Sequence, residues 1–160
     1  MRNLWLTFLV GSPLVILPLL ATAATEAKPI TVDLKAFTFK VPEKQAELFG
    51  YDAGEDRLFF YTNGTGEAKV KVPDDGDYEI VVKASGDIAL KEGAKFKLAV
   101  DGKQIGKETE TTGDPKEYKF SAPLKAGERK LSIEFTNDIF KEGEYDRNLF
   151  VHAVTLKKVK

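Results

Sequence analysis

Between residues 30 and 158 apolar and polar side chains alternate with a period of two, run after run, and almost nowhere with the 3.6-residue period of a helix. Ile30, Val32 and Leu34 open the pattern, and Phe37, Phe39 and Val41 continue it on the opposite parity, which predicts a bulge or bend near Lys35 and Ala36. RLFFYT (57–62) follows, then Ala68, Val70 and Val72, then Tyr78, Ile80, Val82 and Ala84. Phe96, Leu98 and Val100 run into Asp101-Gly102, a dipeptide suited to a two-residue hairpin. Tyr118, Phe120 and Ala122, then Leu131, Ile133 and Phe135, and finally Asn148 to about Lys158 complete the series. About nine short strands at this spacing predict an all-β domain, a two-sheet antiparallel β-sandwich of jelly-roll type. Only EKQAELFG (43–50) offers a turn or two of helix.

The first 23 residues do not belong to that pattern. Arg2 precedes an apolar run from Leu4 to Leu20, and Ala21-Thr22-Ala23 has the small-x-small form of a cleavage site. Gly11, Pro13 and Pro18 interrupt the helix that a membrane anchor needs. The expected organisation is a signal peptide over 1–23, a short flexible start over 24–29, and the sandwich over 30–160. A secreted or periplasmic protein follows, free of the membrane after cleavage and expected to be monomeric.

Composition then removes several classes of function. With 24 basic and 25 acidic side chains the chain lacks the basic excess that nucleic acid demands. There is no cysteine, so no disulfide and no thiolate metal site. The single histidine, His152, rules out a multi-histidine zinc centre. PDDGD (73–77) lacks the frame of an EF-hand and reads as a turn, as does Asn63-Gly64-Thr65.

In a sandwich, chemistry belongs to the loops. The long ones are 42–56, 86–94, 106–116 and 137–147. Loop 42–56 carries Tyr51 beside Asp52, Glu55 and Asp56, an arrangement that could serve a sugar platform. Loop 137–147 carries four carboxylates within nine residues: Asp138, Glu142, Glu144 and Asp146. Only Lys141 and Arg147 stand nearby in sequence. Such crowding suits Ca²⁺, which takes six to eight oxygens in flexible geometry. Asp138 and Asp146, held at the two rims by strands, are the first candidate ligands. Glu144 or Glu142, Asn148 and a loop carbonyl are candidates for the remaining positions. The other reading of the same residues is a solvated acidic loop with Arg147 paired to a neighbour. A hydrolase built on Glu142 and Asp146 is disfavoured, because both lie on one loop with no opposing wall.

"FTNDIFKEGEYDRNLFVHAV" (135–154) resembles the end of the calcium-dependent xylan-binding carbohydrate-binding modules of family 60, related to family 36. The resemblance extends through "GDYEIVVKASGD", "AKFKLAVDGKQIG" and "YKFSAPLKAGERKLSIEF", covering about residues 64 to 156. It implies a small β-sandwich, not an enzyme, that binds polysaccharide through a protein-held Ca²⁺ contacting vicinal sugar hydroxyls. It places Asn137, Asp138, Asp146, Arg147 and Asn148 in the family signature, with Asp138 and Asp146 as ion ligands. Tyr145 and Phe140 would add stacking on the sugar. One departure stands out: the family pattern continues Val-Asp-aromatic where this chain has Val151-His152-Ala153, and imidazole is a poor calcium ligand. The alternative function is a secreted interaction or scaffold sandwich, with a structural calcium or none, that binds no glycan.

Overall fold

The computed structural model describes residues 28–159; the expected signal peptide, and most of the expected flexible start, lie outside them. Thirteen strands succeed one another: β1 (Ile30–Thr31), β2 (Thr38–Phe39), β3 (Phe49–Asp52), β4 (Arg57–Phe60), β5 (Gly64–Val72), β6 (Gly76–Gly86) and β7 (Lys95–Val100). Then come β8 (Lys103–Glu110), β9 (Lys116–Leu124), β10 (Gly127–Phe135), β11 (Phe140–Lys141), β12 (Tyr145–Asp146) and β13 (Leu149–Lys158). One sheet has the order β3-β4-β13-β6-β9, with β1 also on β13, and the other β2-β5-β10-β7-β8. Within both sheets every pairing is antiparallel. The expected two-sheet sandwich is the fold.

The period-two residues meet between the sheets. Tyr78, Ile80, Val82 and Ala84 of β6 and Leu149, Val151, Val154 and Leu156 of β13 are buried on one side. Val70 and Val72 of β5, Phe96 and Leu98 of β7, and Leu131, Ile133 and Phe135 of β10 face them in the same core cluster. Removing such side chains from water, at about 25 cal/mol per Å² of apolar surface, is the dominant stabilising term in a chain without disulfides.

The parity change after Leu34 is real, but a 3-10 turn over Leu34–Ala36 makes it rather than a bulge, and Asp33 caps the turn by accepting the Lys35 N–H at 3.0 Å. The helical segment is likewise a 3-10 stretch, Glu43–Leu48, and strand geometry resumes at Phe49. A bulge does occur in β13, where the register shifts between Val151 and Ala153. It keeps both Val151 and Val154 facing inward although three positions separate them. Loop 106–116 is shorter than expected, because β8 runs on to Glu110. As the edge strand of its sheet, β8 buries Ile105 alone, so its sequence shows no alternation.

Asp101-Gly102 forms the two-residue hairpin expected of it, joining Val100 to its partner Lys103. Both residues are left-handed, with φ of 50° and 79°, and the Asp101 carboxylate accepts the Lys130 N–H at 2.9 Å. A Cβ added at Gly102 would meet nothing within 4 Å, so Gly102→Ala isolates the backbone cost. It should lower stability by about 1–2 kcal/mol in denaturant titration without altering ligand binding.

Candidate functional site

The acidic loop leaves β10, folds into the small ribbon β11–β12, and re-enters the sheet as β13. In the ribbon Phe140 pairs with Asp146 and Lys141 with Tyr145. Because cross-strand partners share a face and neighbours alternate, the ribbon presents Phe140 and Asp146 together and turns Lys141 and Tyr145 the other way. Phe140 and Asp146 accordingly line a cleft of about 660 Å³, with Asp138, Asn148 and Thr62 as its other polar groups. Leu48, Tyr61 and Phe150 complete it. The two rim carboxylates therefore open into one space.

Each polar group in the cleft is positioned from elsewhere in the chain. Thr62 donates its hydroxyl to Asp138 Oδ2 at 2.8 Å, while Asn63 Oδ1 accepts the Asp138 backbone N–H at 2.8 Å. The Asn148 side-chain amide donates to Asp87 Oδ2 at 2.9 Å and to Asp146 Oδ2 at 3.0 Å. Those two bonds aim the amide nitrogen at carboxylates and fix which way its oxygen points. Beneath Asn148 the sheet tolerates no side chain at Gly86, where a Cβ would lie 2.9 Å from the Asn148 carbonyl oxygen and 2.5 Å from the Ala94 Cβ.

Two oxygens remain without partners. Asp138 Oδ1 and Asn148 Oδ1 are buried and accept no hydrogen bond, and Asn148 as a whole is only 7 % exposed. An orphaned buried acceptor costs about 1–3 kcal/mol, so two at one cleft amount to a standing penalty that a bound cation would remove. Burial pushes the Asp138 carboxyl above the usual carboxylate range, and the nearby Asp146 charge adds to the rise, against the pull of the Thr62 hydroxyl and Arg147. Two carboxylates and one amide oxygen are hard donors of the kind calcium takes. Among the described residues no group of three or more carboxylate or imidazole side chains converges, so any ion here would complete its shell with backbone oxygen, water or ligand.

Arg147, at the end of the loop, is 4 % exposed. Its guanidinium donates to the carbonyls of Glu92, Asn137 and Ala89 at 3.1, 2.7 and 2.6 Å, and pairs with the Glu92 carboxylate at 3.2 Å. Ala89 and Glu92 are the ends of a tight turn closed by two reciprocal backbone bonds of 3.0 Å. Its central residues, Leu90 and Lys91, both have left-handed backbones, with φ of 53° and 65°. That conformation costs non-glycine residues about 1–2 kcal/mol each, and the clamp from Arg147 holds it in place. Asn137 ties the same region together, accepting from the Lys95 N–H at 2.6 Å and donating to the Gly93 carbonyl at 3.0 Å.

Of the residues expected from sequence, Asp138, Asp146, Asn148 and Phe140 come together in the cleft. Glu142 and Glu144 do not: they sit exposed at the ribbon tip, where Glu144 pairs with Lys141 at 2.6 Å. Tyr145 is turned away by the ribbon alternation. Tyr51 lies on β3, outside the cleft, with its hydroxyl given to Asp56 at 2.6 Å. His152 is also outside the cleft and shares a 2.8 Å hydrogen bond with Ser85, so its imidazole does not compete with the cleft oxygens. Burial, with Arg57 and Lys83 nearby, lowers its pKa. Thr62, Asn63, Asp87, Tyr61, Phe150 and Leu48 escaped sequence reasoning. Tyr61 and Thr62 end the apolar run 57–62 and Phe150 belongs to the last strand run, but the register that brings them together was not readable.

A β-sandwich whose end loops place two carboxylates, an amide and aromatic side chains in one cleft has the architecture of a carbohydrate-binding module. Residues 79–160 match the model of CBM60, described as a Ca-dependent carbohydrate-binding module, xylan-binding; the chain belongs to this family. Its fold is similar to the CBM36-1 domain of a multidomain xylanase from the hindgut metagenome of Trinervitermes trinervoides, with a TM-score of 0.63 at 12% identity, over 83% of this chain and 99% of that one. It is also similar to a CBM36 module solved in complex with calcium and xylotriose, with a TM-score of 0.55 at 13% identity, over 81% and 99% of the two chains. A family 35 module from Clostridium thermocellum gives 0.53 at 14% identity, over 81% and 98%. No curated protein sequence matches the chain at a significant level.

Proposed function

We propose that this domain binds xylan-like β-glycan at the cleft between β4 and the β11–β12 ribbon, through a calcium ion held by Asp138, Asp146 and Asn148. The observation that carries the reading is the pair of buried, unpartnered oxygens, Asp138 Oδ1 and Asn148 Oδ1, on residues lining one open cleft. When bound, a calcium ion supplies coordination positions that vicinal sugar hydroxyls can occupy. Around it the chain's own groups act as follows. Thr62 and Asn63 hold Asp138 in place, Asp87 orients the Asn148 amide, and Arg147 pins the start of the loop through the Asn137 carbonyl. Tyr61 and Phe140, 43% and 66% exposed, offer apolar surface to the C–H face of a sugar ring. A calcium-bound xylotriose complex of a structurally similar module supports the same choice of ion and ligand.

The role is binding, with no catalysis of its own, by an exported monomeric module. Isothermal titration of the purified domain with xylotriose should show binding in calcium and none in EDTA. Affinity unchanged by EDTA would sink this reading in favour of a cleft that works without an ion. Calcium alone should raise the melting temperature, since an ion at a hundred times its Kd stabilises the folded state by about 2.7 kcal/mol.

A further inference from the structure

The cleft does not end at Tyr61. Along β4, Leu58 and Phe60 point into the core and are 0 % exposed, so Arg57, Phe59 and Tyr61 share the outer face of the sheet. The Phe59 and Tyr61 ring centroids lie 4.7 Å apart with the rings tilted by 32°. Phe150, opposite Phe59 on β13, meets Tyr61 edge-on at 6.4 Å. The Arg57 guanidinium stacks over Phe150 at 4.1 Å. Its Nε has no hydrogen-bond partner, and its nearest carboxylate is Asp52 at 3.8 Å. Phe59 in turn lies across the bare backbone of Gly50, where any Cβ would come within 2.9 Å of the ring.

We propose that this strip is a second saccharide contact surface, taking the residues of the same neutral β-linked chain that follow the sugar held at the cleft. The proposal rests on the cleft being the glycan site, and continuity decides the occupant: Tyr61 and Phe150 line the cleft and also belong to the strip. At 3.3–3.4 Å per residue, Arg57 to Tyr61 spans about 13 Å, room for more than one further pyranose. Apolar ring surface suits the C–H faces of a neutral chain, and the part-exposed guanidinium of Arg57 adds donors for hydroxyls at its far end. The domain would then read chain length, favouring internal stretches of polysaccharide over disaccharides.

The test compares xylobiose with xylohexaose by isothermal titration in calcium. Wild type should bind the hexasaccharide about tenfold more tightly, the increment expected of one stacked ring. Phe59→Ala should bind xylobiose as wild type does, with an unaltered calcium-induced melting shift, and lose most of that increment. Phe59→Leu, which keeps apolar bulk but not the ring, should lose it as well and guards against a folding defect in the alanine variant. Equal affinities for the two sugars in wild type, or an increment that survives in both variants, would overturn the proposal. Xylobiose titrated in EDTA reports separately on the ion. If EDTA leaves xylobiose binding intact the cleft reading fails, while the length comparison still decides the strip.

Discussion

Asp146→Ala should reduce xylotriose affinity by at least about a hundredfold while leaving the melting temperature of the calcium-free domain close to wild type. Asp146 is exposed on the ribbon, and its one side-chain partner is the Asn148 amide, so little of the fold depends on it. What it provides is half of the negative charge in the cleft, and removing a charged ligand from a site with so few should cost at least 2.7 kcal/mol, the free-energy equivalent of about a hundredfold. Asp138→Asn separates function from stability further. That carboxylate is half-buried, carries an orphaned oxygen and feels the Asp146 charge. Neutralising it should let the calcium-free domain melt at or above wild type, yet abolish the calcium-induced rise. Calorimetry with and without calcium reads both effects. A variant that still shows the calcium rise would place the ion elsewhere.

Arg147→Ala should have the largest effect on the fold itself. Its removal takes a charged donor from three carbonyls, leaves that of Asn137 without a partner, and strips Glu92 of one of its two cations; with each hydrogen bond to a charged group contributing about 1.5–3 kcal/mol, the loss should total about 3–5 kcal/mol. The melting temperature should fall by roughly 10 °C or more. Arg147→Lys keeps the charge but cannot reach three acceptors in one plane, so it should recover only a minor part. The turn Ala89–Glu92, with its two left-handed residues, should lose amide-exchange protection before the core strands do. Uniform loss of protection across all strands would contradict this localisation.

The strands that carry the core were legible because burial on one face imposes alternation. β6, β10 and β13 pack against neighbours on both sides, and their apolar positions are where the period places them. Legibility failed where that constraint is absent. β8 at its edge buries only Ile105, and the bulge at His152 shows in sequence only as a three-residue gap between Val151 and Val154. In the cleft, Asp138, Asp146 and Asn148 were readable because apolar runs on either side pin their places. Glu142 and Glu144 looked equivalent in composition, but the ribbon alternation and the Gly143 turn, with φ of 73°, place them outside. Thr62 and Asn63 meet Asp138 from 76 and 75 positions away. Nothing local marks such partners; only the pairing of β4 with β13 brings them there.

The proposed ion ligands and the proposed ring surface have separate origins: Asp138, Asp146 and Asn148 sit on the β10–β13 connection, whereas Phe59 and Tyr61 ride on β4 and its end. Substitutions on the exterior of that short strand can therefore retune which polymer is preferred while the mineral anchor stays intact. A lineage built this way can diversify its diet one aromatic at a time.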